Sequence, residues 1–187
     1  MLETYGLPVI RLLGIDPGSN ALGLAKIDYD VRTSKIIHAN AWTSKTDRLP
    51  MGDMLGEDAH GERFIKIRRQ KENLRRVLEN LRPNIVCCET PFFNMLRPSA
   101  FAPLVETLYA IREVCFEYNP SMDFIAMAPK VIKATLGANA NADKPAMLAQ
   151  FKKVKETMYC PVDLDRLDEH AIDALATVIS FIKRDVE

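Results

Sequence analysis

Apolar residues in this chain are arranged in two ways: short runs at the start, then three-four spacing further on. Val9 to Ile15 is mostly apolar and stops at Asp16, as a buried strand would. Pro17-Gly18 turns the backbone, because proline presets one dihedral and glycine permits the other. A second apolar run, Leu22 to Ile27, follows at hairpin distance. Strands are expected at about 9–16, 21–29 and 34–43, and their short connections make an antiparallel meander. Residues 44–61 are rich in Gly, Asp, Met and Pro and predict a long loop, a mobile or functional segment.

The period then changes. Phe64, Ile67, Lys71, Leu74, Leu78 and Leu81, with Val77, line one face of a helix over about 62–81, and Pro83 stops it. Asn84 to Glu89 is a short apolar strand that again ends in a carboxylate. A helix follows at about 98–118, with Leu104, Leu108, Ile111, Cys115 and Tyr118 on one face, then a strand from Asp123 to Ala128. Pro129 opens a short helix to Leu136. Asp143 caps a helix bearing Met147, Phe151, Val154 and Met158. Asp165 caps the last one, running to about Lys183 with Leu167, Ala171, Ala174, Leu175, Val178 and Ile182 inward. The expected fold is α/β: a mixed five-stranded sheet, three antiparallel strands and then two parallel ones, with helices on both faces and one domain over 1–187.

Composition narrows the class without naming a partner. The 187 residues carry 25 basic and 25 acidic side chains, so bulk charge does not announce a nucleic-acid binder. Its distribution says more. The outer face of the 62–81 helix holds Arg63, Lys66, Arg68, Arg69, Arg75 and Arg76. A solvated helix face is the ordinary reading of such residues, but this density leans towards phosphate contact. Cys87, Cys88, Cys115 and Cys160 form no CxxC pair and read as buried thiols of a reducing compartment. There is no basic-then-apolar start and no apolar run of membrane-spanning length, so a cytoplasmic protein is expected.

The chemistry rests on carboxylates at special places. Asp16 and Glu89 each end a strand, at the sheet edge where open α/β sheets bind ligands. Asp16 alone could equally be a turn residue bonding its own backbone. On the last helix His170 and Asp173 are three apart and share a face, about 5–6 Å apart at Cβ. Asp173 interrupts an alanine-rich apolar face, where an ionised carboxylate needs a cationic partner or a metal. Asp165 and Asp168 read as helix caps, and Glu169 points about 100° away from His170. Three carboxylates and one histidine suit Mg²⁺ or Mn²⁺ better than zinc, since there is no paired His or Cys. Two such ions about 4 Å apart activate water and stabilise the leaving oxygen in phosphodiester hydrolysis.

Taken in order, Gly14-Ile-Asp-Pro-Gly-Ser19, Glu89 and His170-Ala-Ile-Asp-Ala-Leu-Ala176 resemble the RuvC-type Holliday-junction resolvases of the RNase H-like superfamily. Ala128-Pro-Lys-Val-Ile-Lys133, Gly137 and Ala142-Asp-Lys144 extend the resemblance, which spans about residues 10–182. It implies an RNase H-like sheet and a Mg²⁺-dependent crossover junction endodeoxyribonuclease with two ions per site. It also implies a homodimer that clasps a four-way DNA junction and nicks two strands symmetrically. Asp16, Glu89 and Asp173 match the family's catalytic carboxylates, and His170 falls where many members carry aspartate. Lys144 matches a basic residue placed near the scissile phosphate, and Phe92 an aromatic that could stack on an unpaired base. The DNA-binding expectation covers Phe92, Arg68, Arg69, Arg75, Arg76, Lys130 and Lys133. Phe93 reads as a core plug instead. Neutral net charge and the 44–61 segment depart from the family pattern. Three other readings stay open: the phosphate loop of the actin and sugar-kinase ATPases, a non-cleaving junction-binding protein, and an RNase H-like nuclease acting on hybrids or flaps.

Overall fold

A computed structural model describes residues 7–18, 20–45, 51–92, 95, 98–139, 144–158 and 160–186. The side chains at 51–55, 100, 144, 157 and 186 lie outside that description. Five strands are formed: β1 (Val9–Pro17), β2 (Ala21–Asp30), β3 (Lys35–Lys45), β4 (Ile85–Glu89) and β5 (Asp123–Met127). Their order across the sheet is β3-β2-β1-β4-β5. The first three are antiparallel, and β4 and β5 run parallel to β1. Three antiparallel strands followed by two parallel ones are as expected from the sequence.

Strand alternation sends neighbouring residues into two different cores. Leu13, Ile15, Val86 and Cys88 pack under the helices α2 (Glu62–Leu81) and α3 (Phe101–Tyr118). Leu12, Ile27, Ile85 and Cys87 pack under α6 (Glu169–Val186), with Ile132 of α4 (Pro129–Thr135) and Phe151 of α5 (Lys144–Thr157) in the same cluster. Both faces of the sheet are covered, which is why β1 reads as an almost continuous apolar run. Helices α2 and α3 lie parallel and are laced together by Arg63–Glu106 (3.0 Å), Lys71–Glu113 and Arg75–Glu117.

Three elements differ from the pattern reading. Residues 51–60 form a helix, α1 (Met51–His60), inside the segment expected to be a loop. Gly52 and Gly56 argue against a helix there, but Gly56 is where α1 meets Ile65 of α2, so a small residue suits the contact. On α2 the buried positions are Ile65, Gln70, Leu74 and Leu78, while Phe64 turns outward to stack near His60. A polar residue therefore holds a core position that counting apolar residues assigns to its neighbours. The last helix begins at Glu169 and not at Asp165, with a separate 3-10 turn at Leu164–Arg166 capped by Asp163.

Candidate active site

Alternation along the strands sets the site. Gly14 faces α6, Ile15 faces α2 and α3, and so Asp16 returns to the α6 side. Cys87 and Cys88 divide in the same way, which sends Glu89 to the α6 side as well. Because Ile15 pairs with Cys88, Asp16 and Glu89 stand one step further on, at matching positions on adjacent parallel strands. Their charges both reach the buried thiol of Cys88, which burial, above all, pushes far up.

Helix α6 crosses directly above. It can lie so close because two positions below it have no side chain: a Cβ on Gly14 would run into the carbonyl of Ala174, and one on Gly23 into that of His170. Gly23 is the cross-strand partner of Asp16, so this close approach delivers the first turn of α6 to the catalytic candidates. His170 Nδ1 lies 2.7 Å from Asp16 Oδ2. That hydrogen bond raises the imidazole pKa above its ordinary value. Partial burial opposes the rise, and the charges of Asp16, Asp168 and Asp173 add to it. Asp168 caps α6 by accepting from the Ala171 amide at 3.0 Å and also accepts from the Thr43 hydroxyl of β3. The Thr43 bond, first among the causes, keeps the Asp168 carboxyl below the usual carboxylate range. Asp173 is half-buried, one turn beyond His170. A depression of about 480 Å³ flanks the pair, lined by Asn20, Ala21, Lys45, Asp168, Glu169 and His170.

The donor set, carboxylate oxygens with one imidazole, fits a hard divalent cation. Among the described residues, however, no three His, Cys, Asp or Glu side chains converge around a single point. In this geometry Asp16 is turned to His170. The raised pKa has a direct consequence for stability. Protonated His170 stabilises the ion-free fold fully below the unfolded pKa of about 6.5, and that contribution is lost as pH rises through the higher folded value. Thermal melts of wild type and His170→Gln, without divalent ions, are expected to differ most below about pH 6 and to approach a constant offset as pH rises past the raised folded value. A difference that grows with pH would contradict the pairing.

The other expected residues are spread more widely. Phe92 lies just past β4 and is 60% exposed, on the loop that leaves Glu89. Lys130 is exposed and Lys133 half-buried on α4, which leaves the same sheet edge after β5. Lys144 opens α5, but its side chain lies outside the described residues, as does Phe93. On α2, Arg68 pairs with Glu72 at 3.3 Å and Arg75 with Glu117, while Arg69 is half-buried and Arg76 exposed. Much of that basic face is thus already matched by acidic neighbours on α2 and α3. Two residues of the site escape sequence reading. Gln70 of α2 reaches the turn after Asp16, bonding the Gly18 carbonyl at 2.8 Å, and no local pattern announces it. Thr43 holds the α6 cap, across 125 positions of chain, and only the expected meander edge hinted at its neighbourhood.

A sheet of this order and polarity, flanked on both faces by helices and carrying acidic residues at the ends of β1 and β4, defines an RNase H-like fold. Within that class it is similar to the RuvC-type resolvases. The chain aligns with RuvC of Thermus thermophilus, solved in complex with a Holliday junction substrate, at a TM-score of 0.64 and 20% identity over 94% of each chain. The yeast mitochondrial Holliday junction resolvase aligns at 0.58 and 12% identity, covering 94% of this chain and 79% of that one. The fowlpox virus Holliday junction resolvase aligns at 0.53 and 14%, covering 94% and 99%. No family model and no curated protein sequence matches. Among the described residues no helix is long and apolar enough to cross a membrane.

Proposed function

We propose that this chain is a divalent-metal-dependent endonuclease that resolves four-way DNA junctions by paired symmetric nicks. One observation carries the reading: Asp16 and Glu89 end adjacent parallel strands beneath the His170–Asp173 turn of α6, on a fold shared with junction resolvases. Asp16, Glu89, Asp173 and His170 would hold Mg²⁺ or Mn²⁺. When bound, the ions supply an activated water and a stabilised leaving oxygen.

The chain's own residues do the rest. Asp16 and Glu89 are fixed by the sheet, so the anionic centre needs little reorganisation. His170 would have to be neutral to act as a donor: Nε2 could serve while Nδ1 keeps its bond to Asp16, whereas Nδ1 could serve only by giving that bond up. Phe92, exposed beside Glu89, offers a stacking face for a base unpaired at the crossover. Lys130 on α4 and Arg76 on α2 are exposed cations for flanking phosphates. With a net charge of +0, the chain lacks the bulk attraction that drives indiscriminate DNA binding, and shape recognition carries more of the selectivity.

Two symmetric nicks call for two sites, hence a second copy. Val105, Tyr109 and Phe116 form an exposed apolar stripe on α3, 43%, 70% and 68% accessible at helical spacing. A hollow of about 480 Å³ beside it is lined by Arg112, Met122 and Phe124, a form suited to a self-complementary contact about a two-fold axis. Sedimentation should find a dimer at micromolar concentration. Tyr109→Glu with Phe116→Glu should yield monomers that leave single nicks in place of paired ones. A wild-type monomer that still makes paired nicks would end the dimer reading.

The closed Asp16–His170 pair favours a second reading, a junction-binding protein that does not cut. Labelled four-way, three-way, RNA–DNA hybrid and linear substrates, incubated with and without Mg²⁺, separate the two. Selective Mg²⁺-dependent cleavage of four-way DNA supports the resolvase. Tight binding with no cleavage under any condition supports the alternative, and cleavage mainly of hybrids would make it a nuclease of different specificity.

A further inference from the structure

Gln70 is a polar side chain in a core position. It is 3% exposed, on the inward face of α2 among Ile65, Leu74 and Leu78. Its Nε2 donates to the Gly18 carbonyl at 2.8 Å. That bond fixes the amide's orientation, since only the NH₂ end can serve a carbonyl oxygen. The Oε1 end is then buried and accepts from no described residue. An orphaned buried acceptor destabilises a fold, and an apolar side chain of the same shape would avoid the penalty. Stability alone does not explain a glutamine here.

The bond's far end explains it better. Gly18 closes the turn that follows Asp16, donating its own amide to the Ala21 carbonyl at 3.0 Å. The turn runs beside the imidazole: a Cβ on Gly18 would stand 3.5 Å from His170 Cε1. One turn earlier on α2, Lys66 Nζ bonds Asn20 Oδ1 at 3.0 Å. Helix α2 therefore grips, from its own side of the sheet, the segment that flanks both members of the Asp16–His170 pair.

We propose that Gln70 is a positioning residue for the active site. Acting through the Gly18 carbonyl, it holds the 16–18 segment in place and so sets how Asp16 meets His170. The inference rests on Asp16 and His170 being site residues, and it makes a separable claim about the turn.

The test is Gln70→Met, which keeps length and loses the donor, with Gln70→Leu as the second variant. Amide hydrogen exchange, the melting temperature, junction Kd and single-turnover nicking are read on the full-length protein. The expected result is an unchanged or higher melting temperature, faster exchange confined to about residues 16–24, a Kd within about twofold, and nicking slowed about ten- to a hundred-fold. Wild-type exchange in the turn would overturn the proposal, whether or not the protein cuts DNA. So would a parallel fall in melting temperature, affinity and rate, which marks a merely structural side chain. Failure of both variants to fold also overturns it, because the proposal gives Gln70 no net stabilising role. Should wild type cleave nothing, the nuclease reading fails while the exchange result still decides the role of Gln70.

Discussion

Asp16→Asn should bind four-way DNA as tightly as wild type and should not cut it. Asparagine keeps the shape of the side chain, and its carbonyl oxygen can still accept from His170, so the β1 end and the α6 contact persist. What disappears is one full negative charge at the most rigidly held position of the site. Metal-assisted charge stabilisation is worth several kcal/mol, and about 4 kcal/mol corresponds to about a thousand-fold in rate. Mg²⁺-dependent nicking should therefore fall by about a thousand-fold or more. DNA affinity in the absence of Mg²⁺ should hold or rise slightly, because a phosphate backbone gains when a nearby carboxylate is neutralised. The asparagine keeps the bond to His170 but removes the Asp16 charge that adds to the raised His170 pKa, so the imidazole should titrate lower, as NMR would detect. Single-turnover nicking beside gel-shift affinity checks the central pair of outcomes. An Asp16→Asn protein cutting at wild-type rate would remove the basis for any metal-dependent reading of this site.

The contrast between what the chain's pattern announces and what it hides has a physical basis. Strands β1, β2 and β4 are legible because they are buried on both faces, so their apolar runs are continuous and end abruptly at Asp16 and Glu89. Those ends are also what place the two carboxylates, so half of the candidate site comes with the strand reading. His170 and Asp173 are legible through helical spacing on α6. The direct bond between Asp16 and His170 is not, because 154 positions separate them and their meeting depends on how closely α6 can approach. The basic face of α2 is legible as a cluster but not as a set of partners. Glu106, Glu113 and Glu117 come from α3, and only the parallel packing of the two helices turns them into counter-ions. Exposed pairs of this kind contribute little each. A phosphate arriving at Arg75 or Arg68 would have to displace a carboxylate, so under the proposed function the exposed Lys130 by the sheet edge is the better candidate for a DNA contact. Gln70 is hidden for another reason: its side chain is polar while its position is apolar, and composition cannot separate the two.

The closeness of α6 leads to the second large effect, at a residue without a side chain. Gly23→Ala should unseat the site and destabilise the fold together. An added methyl would meet the backbone of His170 and lie 3.1 Å from the Cβ of Asp16. Neither obstacle is a flexible side-chain tip that can rotate aside, so α6 must lift or β2 must bend. Helix α6 carries Ala174, Leu175, Val178, Ile179 and Phe181, all fully buried, and lifting it opens the core along its length. Overpacking ordinarily costs about 1–3 kcal/mol, and a clash with backbone belongs at or above the upper end. At about 2–4 °C per kcal/mol for a chain of this size, the melting temperature should drop by about 6–12 °C. A shift of the His170 backbone carries His170 away from Asp16 on β1, so nicking should be lost well below the new melting point. Gly137→Ala is the useful comparison. Its backbone has φ +77, which an alanine adopts only under strain, yet a Cβ there meets nothing within 4 Å. That strain is worth about 1–2 kcal/mol, so this variant should also melt earlier but should cut normally at temperatures where it is folded. If both variants lose activity in proportion to stability, the first turn of α6 is not what sets the catalytic geometry, and the site must be organised from the strands alone.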